Sequence, residues 1–194
     1  MTPKQAERIK TKITKIKRAL ATDKRRHGGY YDDSGGLRYL PPELYLKLKD
    51  YSGALRYFNW FHKNFPDDIG YPIFLFEWTV TLFKTKRLKE AEMMARKTFS
   101  SNTYLLDGFL GNQFAKLDEV SYSNWQSADL LEYFKYSKQQ EELEDFAEWL
   151  TNLIDTPDFA QFIQRSYELD GILKTEPVGP KRSKLIKERY GFKS

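Results

Sequence analysis

The chain has 194 residues, of which 40% are hydrophobic, 16% aromatic and 30% charged, with a formal net charge of +5; this is enough apolar surface for one folded unit, and it argues against intrinsic disorder except at the ends. The absence of cysteine excludes disulfides, zinc-thiolate sites, iron–sulfur clusters and cysteine nucleophiles. The charge is segregated: residues 1–27 hold ten Lys/Arg against Glu7 and Asp23, a net of +8, residues 174–194 have a net of +5, and residues 28–173 a net of −8. Two basic ends flank an acidic middle and are expected to fold back onto it; the alternative is attraction to nucleic acid or an anionic surface.

The first predicted element is a helix over residues 3–21. Ile9, Ile13, Ile16 and Leu20 recur at spacings of four, three and four on one face, and lysine and arginine cover the other. Thr2 before Pro3 supplies an N-cap and a first-turn residue. This basic amphipathic unit, residues 1–26, is expected to dock by its isoleucine stripe; a membrane surface or a partner helix is the other use of such a face. It lacks the apolar run of a secretory signal, and no stretch approaches the length of an apolar membrane span. The expectation is a soluble, cytoplasmic protein.

Residues 27–41 form a linker rich in glycine, tyrosine and aspartate, opening HGGYYDDSGG, where four glycines in ten residues disfavour helix and strand. Helical periodicity resumes after Pro41 and Pro42. It predicts helices at roughly 42–49, 51–65, 71–84, 88–101, 103–117, 125–135, 140–154 and 157–173, with Thr156 before Pro157 marking the last start. No alternating strand is evident. Residues 42–173 therefore read as one helical domain, and 174–194 as a basic tail.

The helical region repeats internally. Tyr51, Ala54 and Phe58 are followed 37 residues on by Leu88, Ala91 and Ala95, and 37 further on by Trp125, Ala128 and Glu132. A large apolar residue precedes alanine by three positions in each copy. Between the first two copies the match extends backwards, pairing Leu46 with Phe83, Lys47 with Lys84 and Lys49 with Lys86. Where two antiparallel helices are joined by a short turn, the second approaches the first closely near its start, and a small side chain admits that contact.

Ala54, Phe58 and Pro66 resemble the tetratricopeptide pattern of alanine, aromatic and proline. The second copy has Trp78, Leu82, Ala91 and Ala95 but Thr103 in place of the proline, and the third keeps Ala128. The chain thus resembles a divergent tetratricopeptide-repeat protein over about residues 40–135. Its segments YYDDSGGLRYLPPELYLKLKDY, FPDDIG and LKTEPVGPKRS are similar to uncharacterised bacterial members of that type. The resemblance implies an all-α fold: a short right-handed α-solenoid of antiparallel helix pairs, with the first helix and those after residue 140 as caps. It implies no cofactor. It also implies a non-enzymatic scaffold or adaptor that binds a protein or peptide on its concave face. On that register the groove residues are Glu43, Lys47, Glu77 and Lys84, with Lys47 and Lys84 at equivalent positions able to hold a partner's carboxylate.

Two other classes of function have residues to carry them. The basic helix with KRRHGGYY offers cations and aromatics to a nucleic acid. The 27–36 loop offers His27, Tyr30, Tyr31, Asp32 and Asp33 to an enzyme or metal site, provided the aspartates face the groove; the oxygen spacing of a calcium loop is absent. Asp67 and Asp68 are expected to cap the following helix. His27 and His62 have no histidine at i+4, so the helical zinc-protease motif is absent, as are a phosphate-binding loop and a nucleophile elbow. Trp60, Phe61, Phe65, Phe74, Phe76, Trp78 and Phe83 are expected to pack between helices, with a minority of them lining a ligand groove as the alternative.

Overall fold

The computed structural model describes residues 1–113 and 126–191. Among them all regular structure is helical: α1 Pro3–Arg26, α2 Pro41–Lys47, α3 Tyr51–Asn64, α4 Pro72–Lys84, α5 Leu88–Ser101, α6 Tyr104–Leu110, α7 Glu144–Ile154, α8 Pro157–Thr175 and α9 Pro180–Tyr190. Short 3₁₀ helices lie at Leu37–Tyr39, Ala128–Tyr133 and Glu141–Leu143. The helix starts follow local rules. Thr2 and Gln5 form a reciprocal capping box on α1, Asp50 caps α3 through Gly53 N, and Thr156 caps α8 through Phe159 N.

The 37-residue repeat is visible in the turns. After α2, Lys49 N donates to Leu46 O and Asp50 N to Tyr45 O; after α4, Lys86 N donates to Phe83 O and Arg87 N to Leu82 O. These are two Schellman turns offset by 37 residues, and their αL positions are Lys49 (φ 55°) and Lys86 (φ 63°). The alanines that follow, Ala54 and Ala91, are fully buried, as the close approach of paired helices requires. The pairs α2–α3 and α4–α5 pack together, and α2 also touches α4.

The third copy differs. Trp125 lies outside the described residues, as do residues 114–117 of the helix predicted at 103–117. In place of an α-helix over 125–135, Ala128–Tyr133 is 3₁₀ and the backbone becomes extended at Phe134 (φ −86°, ψ 111°). Phe134 and Tyr136 both reach the Phe76 ring, at centroid distances of 4.8 and 5.4 Å. Residues two apart share a face only in an extended chain.

Helix α4 is the centre of the core. Phe74, Phe76, Thr79 and Val80 are fully buried, and the hydroxyls of Thr79 and Thr81 return hydrogen bonds to the carbonyls of Leu75 and Glu77. Trp78 stacks on Phe58 at 4.7 Å, joining α4 to α3. Phe76 meets Phe109 of α6 and Phe146 of α7. The expected packing role of the aromatics describes these contacts well.

The two basic ends attach differently. Ile13, Ile16 and Leu20 of α1 pack on Leu44, with Tyr45, Leu48 and Trp60 around them. Among the described residues no Lys or Arg of α1 forms an ion pair outside that helix; Lys10–Glu7 lies within it. Apolar contact and one hydrogen bond from Lys24 Nζ to Asn64 Oδ1 of α3 at 2.9 Å, rather than ion pairs with the acidic body, hold this end. Residues 180–190, read as tail, form α9 instead, starting at Pro180. Buried Arg189 grips Asp170 of α8 through Nε at 2.8 Å and Nη2 at 3.0 Å. No helix among the described residues is long and apolar enough to cross a membrane.

Candidate functional site

The 27–36 loop distributes its polar residues to separate tasks. Gly28 (φ 63°) and Gly29, whose N–H donates to Lys24 O at 2.8 Å, terminate α1. His27 Nδ1 lies 3.0 Å from Asp23 O. Tyr30 is 79% exposed. Tyr31 turns inward onto Phe65 and Trp60 and donates to Asn64 Oδ1 at 3.3 Å. Asp32 is exposed, 3.9 Å from His27 Nε2. The Asp33 side chain is 3% exposed; its carboxylate accepts from Leu37 N and Arg38 N, each at 2.8 Å, and so caps the 3₁₀ turn. Tyr31 and Asp33 thus face inward onto different partners, while Tyr30 and Asp32 face solvent. Among the described residues no three His, Asp or Glu side chains gather where they could hold a metal ion.

Asp68 has a different role from the one expected. The N-cap of α4 is Tyr71, without a side-chain cap. Asp68 instead accepts from Arg38 Nε at 2.7 Å, from Tyr39 Oη at 2.6 Å and from Gly70 N at 2.9 Å. Arg38 also donates to Asp33 at 3.1 Å. Burial pushes the Asp68 carboxyl up, but these donors outweigh it and hold it below the usual range. Burial and the adjoining carboxylate push the Tyr39 phenol up to about 12. This cluster ties the linker to the α3–α4 connection, and its groups saturate one another.

Three of the four predicted groove residues do meet. A recess of about 480 Å³ is lined by Glu43 of α2, Glu77 of α4, Tyr71, and Tyr133, Lys135 and Tyr136 from the segment that crosses in front of them. A smaller cleft of about 70 Å³ continues past Lys47 and Tyr51. Glu43 accepts from Lys47 at 2.6 Å and from Lys135 at 3.1 Å. Burial raises its pKa, but the two ammonium donors outweigh that and leave it below the ordinary value. Glu77 is 2% exposed and accepts from Tyr136 Oη at 2.7 Å. Burial lifts its carboxyl to about 8, and the Tyr136 phenol is pushed up by burial and by Glu77.

Lys84 stands apart. Its ammonium binds Asp145 of α7, and its side chain is 13% exposed against 52% for Lys47. Each lysine holds a carboxylate of this same chain, but only Lys47 remains open to a visitor. Tyr71, Tyr133, Lys135 and Tyr136 escaped the sequence reading. The signal for the last two was the order aromatic, cation, aromatic at 134–136, a period-two pattern. Lys135 is 68% exposed, between the two rings that pack inward. No protein-family model, curated protein or solved structure matches the chain.

Proposed function

We propose that the chain is a non-enzymatic adaptor of the cytoplasm, a short right-handed α-solenoid of tetratricopeptide-like helix pairs that binds an extended peptide of a partner protein along α2 and α4. One observation carries this reading: an extended stretch of the chain itself already lies along that face. Phe134 and Tyr136 rest on Phe76, Tyr136 reaches Glu77, and Lys135 reaches Glu43. Alternate side chains in pockets and a charged residue on the rim are what a helical-repeat groove offers an extended ligand. The recess beside this stretch leaves room for a second occupant. Panning the intact protein against a random peptide library tests the reading. Selected peptides are expected to bind at least about tenfold more weakly to Glu43→Lys and to Lys47→Glu. Peptides indifferent to both substitutions place binding elsewhere.

A second reading, association with nucleic acid, is favoured by the way α1 docks. Its isoleucine stripe faces inward, and Lys4, Arg8, Lys12 and Lys15 line an exposed strip. On this reading, affinity for a single-stranded oligonucleotide falls steeply between about 50 and about 200 mM salt, as phosphate contacts release counterions. Lys12→Glu combined with Lys15→Glu then removes most of the binding. No binding at low salt eliminates the reading.

A further inference from the structure

Three buried side-chain atoms have no hydrogen-bond partner among the described residues, Glu77 Oε2, Ser100 Oγ and Arg189 Nη1, and of these Glu77 alone lines the recess between α2 and α4. Glu77 Oε1 takes the Tyr136 hydroxyl, while Glu77 Oε2 is buried with no hydrogen bond among the described residues. A buried oxygen without a donor carries its full desolvation cost. Glu77 forms part of the wall of the 480 Å³ recess, a volume typical of small-ligand pockets. Glu43 is its acidic neighbour there, Asp129 lies on the exposed side, and Tyr71, Tyr133 and Tyr136 supply aromatic walls. Carboxylates among tyrosine rings attract an organic cation by charge, hydrogen bonding and the ring quadrupole together. The chain's own Lys135 places an ammonium 3.1 Å from Glu43, but no donor among the described residues reaches Glu77 Oε2.

We propose that this recess is a binding site for an alkylammonium group, received by Glu77 Oε2 and presented by a lysine side chain of the peptide that lies along α2 and α4. The site rests on the peptide-binding reading above. Its chemistry is coupled to protons. Burial holds Glu77 at about 8, so near neutral pH an incoming ammonium displaces the carboxyl proton to solvent. The charged and titratable groups around it are Glu43, Lys47, Tyr71, Asp129, Tyr133, Lys135 and Tyr136. Against the opposing effect of burial, Lys47 and Lys135 hold Glu43 low, whereas burial, and after it the Glu77 carboxylate, pushes Tyr71 and Tyr136 up. Affinity for the cation therefore rises as pH rises through the Glu77 transition.

Calorimetric titration of the intact protein tests the site with three probes: acetyl-Gly-Lys-Gly-amide, the same peptide with norleucine for lysine, and n-butylamine. Measurements at about pH 6, 7.5 and 9, in two buffers of different ionisation heat, read the displaced proton. The lysine peptide is expected to bind at least about tenfold more tightly than the norleucine peptide. Its affinity should increase with pH, with proton release at the middle value. Glu77→Gln, shown by melting to be folded, should lose the preference for lysine. Butylamine binding as tightly as the peptide supports the ammonium site and assigns it to free amines. Equal binding of the two peptides to the unmodified protein overturns the site and leaves the groove reading standing, as does the absence of binding by all three probes. Failure of the groove reading itself shows separately, in library peptides that ignore Glu43 and Lys47.

Discussion

Glu77 keeps a carboxyl group inside the protein, and the cost of doing so depends on pH. Below its ordinary pKa of 4.5 the group is protonated in the folded and the unfolded chain, and contributes nothing to pH dependence. Between 4.5 and about 8 the unfolded chain has lost the proton and the folded chain retains it. Stability therefore falls with rising pH, by up to ~1.4 kcal/mol per unit, and the loss is complete above the folded value. Glu77→Gln preserves an acceptor for Tyr136 and has no charge to bury. Thermal melting should show the unmodified protein weakening from about pH 5 to about pH 9. The Glu77→Gln variant should show a flatter profile and be the more stable protein at the alkaline end; parallel profiles would mean the carboxyl is solvated. Arg38 illustrates the opposite case, since Asp33 and Asp68 meet its donors and no group in the cluster is left wanting.

At the scale of elements, the two helix pairs share one turn design with the same local strain. Lys49 and Lys86 occupy left-handed backbone that L side chains enter at a cost of roughly 1 kcal/mol, and glycine is the usual residue there. Lys86→Gly should raise stability by ~0.5–1 kcal/mol, after the added freedom of the unfolded chain is counted. Urea denaturation with an unchanged slope would measure it; a loss would show that the lysine side chain supports the turn. Gly53 shows the converse in α3. A Cβ there would sit 2.7 Å from Tyr45 Cε1 and press on the Asp50 carboxylate. Alanine, which favours exposed helix interiors by about 1 kcal/mol over glycine, should destabilise this one, because α2 passes too close.

For the whole molecule, the attachment of α1 is the feature to test. Three buried side chains, Ile13, Ile16 and Leu20, contribute about 2 kcal/mol each, and no ion pair to the body supplements them among the described residues. Ile16→Asp should undock α1, expose Trp60 and open the lysine- and arginine-rich helix to trypsin well before the body is cut; unchanged proteolysis would mean other contacts hold it. That stripe was legible in the sequence, as were the helix starts at Thr2 and Thr156 and the 37-residue spacing of Ala54 and Ala91. Periodicity, caps and turns are set by neighbours a few residues away, so a linear reading reaches them. The sequence also nominated Glu43, Lys47 and Glu77 for one face. It did not indicate that Glu77 would be covered, that Lys84 would be taken by Asp145, that Asp68 would hold Arg38, or that residues 180–190 would coil into a helix fixed by Arg189. Each of these depends on which distant segment arrives against the element, through contacts 19 to 61 residues apart in sequence. By itself the sequence determined where helices begin, turn and repeat, because those are short-range matters. Which carboxylate is exposed, paired or left with an empty oxygen was decided only by tertiary packing, because desolvation is a property of everything that closes over a group.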